Sequence, residues 1–121
     1  MEFRVLAVGD VVGAPGLRFL QQKLRGIKRL YGADFCVVNG ENANVVGITP
    51  QQADAIFDAG ADVITLGNHT WNRLQIADFL EKDRYTLRPA NYTDRQTSCR
   101  ACPVAAGAFL RRRQDRSRLS I

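Results

Sequence analysis

Two carboxylates, two carboxamides and one imidazole, Asp10, Glu41, Asn42, Asn68 and His69, stand where short apolar runs give way to turns. Asp and Glu offer hard anionic oxygens, Asn a neutral carbonyl oxygen, and His a nitrogen ligand or a proton. Such a mixed oxygen and nitrogen set suits divalent Mn, Fe or Zn better than a sulfur-rich site would. A carboxylate that bridges two ions holds them ~3.5–4 Å apart, an arrangement that polarises a phosphate and activates water. Each residue also has a plainer role: Asp10 as a turn or helix-start residue, Glu41 as a solvated side chain, the two Asn as turn formers, His69 as a hydrogen-bond partner. Their joint placement is what favours a site.

The elements that must bring them together can be read from the apolar pattern. Residues 3–8 form a first strand ending at Gly9-Asp10, residues 35–38 a second that opens into Asn39-Gly40-Glu41-Asn42, and residues 63–66 a third that runs into Gly67-Asn68-His69. After the loop of residues 11–16, Leu17, Leu20, Leu24, Ile27 and Tyr31 recur at helical spacing, and Gly32 is placed to end that helix. Thr49, Pro50 and Gln52 make a capping-box start for a second helix with Ala53, Ile56 and Phe57 on its apolar face and Gly60 at its end. Thr70 is placed to cap a third, with Leu74, Ala77 and Leu80 as its buried stripe, and residues 85–88 read as a fourth strand. Alternation of strands and helices with short connections implies an α/β fold, a parallel sheet with flanking helices and right-handed crossovers. In such a sheet the three polar junctions share one edge, where open α/β proteins place their ligands.

The formal charge of +5 over 121 residues suggests nucleic acid, but its distribution does not. Residues 1–92 hold ten basic and ten acidic side chains, whereas residues 93–121 hold seven Arg against Asp94 and Asp115. The folded part is therefore near neutral and the basic character belongs to a tail. That tail, with Phe109 and Leu110 as its one apolar cluster, is expected to be poorly ordered or to form one short helix. Cys36 in Phe35-Cys36-Val37-Val38 reads as a core residue, and Cys99-Arg-Ala-Cys102 as a weak metal or redox spacing. No apolar stretch approaches the ~20 residues of a membrane span, and the first residues lack the pattern of a signal peptide, so a reducing, cytoplasmic setting is expected. Gly9-Asp-Val-Val-Gly13-Ala-Pro-Gly16 is not the dinucleotide fingerprint, and no phosphate-loop GKS or GKT occurs.

The segments Ala7-Val-Gly-Asp-Val-Val-Gly13, Val38-Asn-Gly-Glu-Asn-Ala43, Gly47-Ile-Thr-Pro50 and Ile64-Thr-Leu-Gly-Asn-His-Thr-Trp71 resemble the YmdB-like family of calcineurin-type metallophosphoesterases, as does Arg88-Pro-Ala-Asn-Tyr92. The resemblance covers residues 3–92 and implies the N-terminal half of a four-layered α/β sandwich metallophosphoesterase fold. It also implies that Asp10, Glu41, Asn42 and Asn68 hold two divalent ions (Fe or Mn foremost, Zn or Mg as alternatives), with Glu41 as the bridge. By the same resemblance His69 is the proton donor, and the reaction is hydrolysis of 2′,3′-cyclic nucleotides to 3′-monophosphates.

Two departures qualify what the resemblance implies. Asn72 stands where family members often show Asp, and His69 is the single histidine of the chain, whereas the family draws further metal-binding histidines from its second half. Residues 1–92 are thus expected to form a partial metallophosphoesterase domain, weak or inactive alone, with residues 93–121 as a basic, aberrant tail resembling a shifted reading frame or a damaged gene end. An uncovered sheet face would favour a homo-oligomer. The competing readings are a noncatalytic oligomeric or RNA-binding protein using the Arg111 to Arg118 cluster, and a bare flavodoxin-like domain without metal.

Overall fold

The computed structural model describes residues 2–70 and 75–89. The expectations for Asn72, Leu74, Asn91, Tyr92, the Cys99/Cys102 pair and the arginine cluster lie outside these residues. Along the described chain run β1 (Val5–Val8), α1 (Gly13–Tyr31), β2 (Phe35–Asn39), α2 (Pro50–Ala59), β3 (Val63–Thr65), α3 (Ile76–Lys82) and β4 (Thr86–Leu87). The strands form one sheet in the order β1-β2-β3-β4, and every neighbouring pair is parallel. The expected parallel sheet with flanking helices is therefore the observed fold.

A sheet that adds each parallel strand on the same side, through right-handed crossovers, carries its helices on one face. Side-chain alternation agrees. Cys36 and Val38 of β2 and Ile64 of β3 are fully buried beneath the helices, and Leu6 and Val8 of β1 pack against the same cluster. The opposite face carries Val5, Ala7, Phe35, Val37, Val63 and Leu87; Val5 is 56% exposed, whereas Val63 and Leu87 are buried. The core cluster joins Leu20 and Leu24 of α1, Ala53 and Ile56 of α2, and Ile76 and Leu80 of α3. Full burial of each such leucine or isoleucine contributes ~1.5–3 kcal/mol.

Helix boundaries follow local chemistry. In α2 the Thr49 hydroxyl accepts from Gln52 N at 3.3 Å while Gln52 Oε1 accepts from Thr49 N at 2.9 Å, completing the expected capping box. Gly32, at φ 60°, closes α1 in the left-handed conformation, and Ala33 N reaches back to Lys28 O at 2.8 Å. Four expectations need correction. Helix α1 begins at Gly13, because Pro15 falls in the first turn, where backbone N–H groups have no helical acceptor. Tyr31, expected on the buried stripe, is 61% exposed because it belongs to the last turn, beyond the packed face. Strand β1 starts only at Val5, since Arg4 is engaged with the turn before β2: its N–H donates to Asp34 Oδ2 at 3.0 Å and its carbonyl accepts from Asp34 N at 2.8 Å. Thr70 does not cap α3, which starts at Ile76 after Gln75; its hydroxyl instead donates to Gly67 O at 2.5 Å.

Away from the polar edge, a largely buried charged pair is built into the structure. Asp62 precedes β3 and is 3% exposed; its Oδ2 accepts from Cys36 N at 2.8 Å and lies 3.8 Å from Lys28 Nζ. Lys28 also donates to Gly60 O at 2.7 Å, and Arg25 Nη2 donates to Asp58 O. These cations satisfy carbonyls at the C-terminal end of α2, where positive charge also complements the helix dipole.

Candidate metal centre

The three polar junctions are tied together by main-chain hydrogen bonds before any side chain is considered. Val11 N donates to Asn39 O at 3.2 Å and Gly13 N to Asn42 O at 3.0 Å, joining the loop after β1 to the loop after β2. Gly40 N donates to Thr65 O at 3.0 Å, joining the loop after β2 to β3. Gly40 is needed here as glycine: a Cβ would stand 3.0 Å from Ile64 Cγ2, 3.1 Å from Ile48 Cδ1 and 3.2 Å from Ile56 Cδ1. The backbone can thus lie against the core at the end of β2, and Glu41 emerges at the sheet edge. Beyond it, Gln52 Nε2 of α2 donates to Ala43 O at 3.3 Å and Asn44 Oδ1 at 3.2 Å, fixing the rest of the loop.

On this scaffold four of the five predicted residues come together. Asn42 Nδ2 donates to Asp10 Oδ1 at 2.9 Å, and Asn42 Oδ1 lies 2.9 Å from His69 Nδ1. Because the amide nitrogen already faces Asp10, its oxygen has to be the acceptor toward the ring. His69 Nδ1 therefore carries a proton, and Nε2 is the nitrogen left to exchange one with a substrate. Glu41 Oε1 lies 3.6 Å from His69 Nδ1, with the Glu41 side chain 16% and the His69 side chain 35% exposed. Asp10 and Asn68 are exposed at the rim, and Asn68 is placed beside the group by its position between Gly67 and His69.

The chemistry of the donors fits a divalent cation, though the protein's share of its ligands is small. Among the described residues neither Asp10 nor Glu41 pairs with a lysine or arginine; their partners are Asn42 and His69. Anionic side chains with no lysine or arginine partner among the described residues form an environment that attracts positive charge. Asn42 Oδ1 accepts one hydrogen bond and retains a second lone pair. No group of three or more His, Cys, Asp or Glu side chains is gathered among the described residues, so the set is rich in amide and carboxylate oxygen and poor in histidine.

In the sequence Gly67 is one of ten glycines with nothing to single it out, whereas the structure gives it a specific neighbour. The Glu41 carboxylate lies directly against its Cα, and a Cβ there would stand 2.5 Å from Glu41 Cδ. The bridging position of the Asn42 amide was likewise not readable. Sequence spacing alone does not show which way an amide points.

Comparison with known proteins identifies the family. A family model described as YmdB-like protein matches residues 6–106. The 2′,3′-cyclic-nucleotide 2′-phosphodiesterase of Bacillus subtilis is 39% identical over 92 residues, covering 75% of this chain and 35% of that protein. A putative phosphatase/phosphodiesterase of Mycoplasma genitalium is 34% identical over 89 residues, covering 73% of this chain and 32% of that protein. The chain thus spans about a third of the length of the curated relatives it matches. Among solved structures, a hypothetical protein from Thermus thermophilus superposes with a TM-score of 0.71 at 34% identity, over 79% of this chain and 37% of that one. A phosphatase from Mycoplasma pneumoniae does so with a TM-score of 0.72 at 27% identity, over 79% and 36%. With a family model matched over most of its length and a sheet edge carrying the motifs that define the resemblance, the chain belongs to the YmdB-like family.

Proposed function

We propose that this chain supplies part of a metal-dependent phosphodiesterase site for 2′,3′-cyclic nucleotides. The observation that carries the reading is the Asp10–Asn42–His69 hydrogen-bonded chain with Glu41 beside it, assembled at the carboxyl ends of three adjacent parallel strands. The name of the Bacillus relative supports the substrate class. Asp10, Glu41, Asn42 and Asn68 would hold divalent ions, with Fe or Mn foremost and Zn or Mg as alternatives. Such ions, when bound, polarise a phosphoryl oxygen and make hydroxide available near neutral pH.

The chain's own residues have distinct tasks. Asn42 holds Asp10 with its nitrogen and His69 with its oxygen, so one amide sets the spacing of a ligand and an acid. As water adds to phosphorus and the bond from phosphorus to the ribose 2′ oxygen breaks, a doubly protonated His69, with Nδ1–H turned to Asn42, would give its Nε2 proton to that oxygen, yielding a 3′-monophosphate. Glu41, half-buried at the sheet edge beside His69, would act as the bridging carboxylate. With His69 the single histidine in the sequence, turnover by this chain alone is expected to be slow.

The test is to incubate the chain with Mn²⁺ or Fe²⁺ and 2′,3′-cAMP and to follow 3′-AMP by chromatography. Slow, metal-dependent formation of 3′-AMP that His69→Ala removes is the expected result. Turnover insensitive to both chelator and His69→Ala would refute the assignment.

A further inference from the structure

The contact between Glu41 and Gly67 explains how a side chain from the end of one strand is held over the end of the next. Glu41 follows β2 and Gly67 lies just beyond β3, which are neighbours in the sheet. The Glu41 carboxylate rests against Gly67 so closely that a Cβ there would overlap it, standing 2.5 Å from Cδ and 3.1 Å from Oε1. Gly67 is not in the left-handed region, so its backbone is open to any L residue. The obstruction met by a side chain at 67 is the far end of a flexible glutamate, not backbone or packed core. Gly67 is therefore not required for the turn itself; what the missing Cβ makes possible is the carboxylate position.

We propose that Gly67 is a positioning residue for the metal site: the missing side chain at the end of β3 is the seat of the Glu41 carboxylate. The proposal rests on the reading of Glu41 as a metal-holding group. Seated there, the carboxylate lies beside the His69 ring, with Oε1 3.6 Å from Nδ1, and next to the backbone that carries Asn68. A methyl group at 67 expels it from this seat and leaves Asp10, Asn42 and the main-chain ties between the loops in place. The glycine thus belongs to the shell that orients a ligand, and losing such a support lowers metal affinity by roughly 10–100-fold.

The experiment measures Mn²⁺ binding by calorimetry on the full chain as wild type, Gly67→Ala, Glu41→Ala and the double variant, with urea unfolding of each metal-free protein alongside. The expected result is a fall of at least about tenfold in affinity for Gly67→Ala and no further fall when Gly67→Ala is added to Glu41→Ala. Should Gly67→Ala be too unstable to assay, Glu41→Ala is expected to restore its unfolding midpoint, because removing the carboxylate removes the overlap. Wild-type affinity in Gly67→Ala, or equal further losses in both backgrounds, would overturn the proposal. Absence of Mn²⁺ binding by the wild type would instead count against the metal reading of the site. Nuclear Overhauser contacts in the metal-free protein then decide the seat itself. Contacts between Glu41 side-chain protons and the Gly67 α-protons, lost in Gly67→Ala, uphold it, and their absence from the wild type overturns it.

Discussion

Two pairs of acidic side chain and partner lie at opposite ends of the same sheet and are built in opposite ways. Before β3, Asp62 is 3% exposed, accepts the Cys36 N–H at 2.8 Å and faces Lys28, which is itself bonded to Gly60 O. At the far edge, among the described residues, Glu41 lies 3.6 Å from the His69 imidazole and against Gly67, and Asp10 is exposed with an amide as its partner. The first pair has its charge and its hydrogen-bonding capacity matched within the fold, so it serves the fold. Among the described residues the second has no lysine or arginine partner, which is tolerable near water. Within one small sheet, satisfaction of charge distinguishes the carboxylate built into the fold from those of the candidate site.

The contrast is sharpened by substitutions whose effects on folding should differ widely. Asp62→Ala is expected to cost most, about 3–5 kcal/mol in urea unfolding, since it strands a largely buried Lys28 and leaves the Cys36 N–H without its carboxylate. Gly40→Ala should cost about 1–3 kcal/mol, because its methyl group would crowd Ile64, Ile48 and Ile56 at 3.0–3.2 Å. Thr49→Ala, which removes one half of the capping box of α2, should cost about 1 kcal/mol. At the polar edge, Asp10→Asn should change stability by no more than about 0.5 kcal/mol, as expected for an exposed position away from the core. A loss of several kcal/mol for Asp10→Asn would erase the distinction between the two ends.

Much of this was legible in the sequence because it depends on neighbours in the chain. The Thr49-Pro50-Gln52 start of α2, the Gly32 end of α1 and the apolar runs of β2 and β3 are local signals, and each appears where the sequence places it. Parallel pairing then puts Asp10, Glu41 and His69 on one edge without knowledge of any distance. What could not be read depends on contacts across the fold. Asp62 in Gly60-Ala61-Asp62 has the look of a turn residue until β2 supplies the Cys36 N–H and α1 supplies Lys28. Thr70 has the residue type of a cap, but the carbonyl of Gly67 captures its hydroxyl at 2.5 Å. Tyr31 keeps the helical period of the buried stripe after the helix has run past the surface it packs on.

The open face of the sheet offers a second contrast. The helix-covered side is closed by a continuous core, whereas the other side presents Val5 at 56% exposure and half-buried Phe35 and Val37. This chain spans about a third of its curated relatives. The candidate metal centre stands at the edge between these two faces.

The proposed cation site stands or falls with the carboxylates at the strand ends. Its most direct test is the titration of Mn²⁺ into the chain, comparing wild type with the Asp10→Asn/Glu41→Gln double variant. Saturable binding by the wild type is expected, with a loss in the double variant larger than the roughly 10–100-fold typical of removing a supporting contact and an unchanged unfolding midpoint. Equal affinity in the two proteins, or no saturable binding by the wild type, would contradict it.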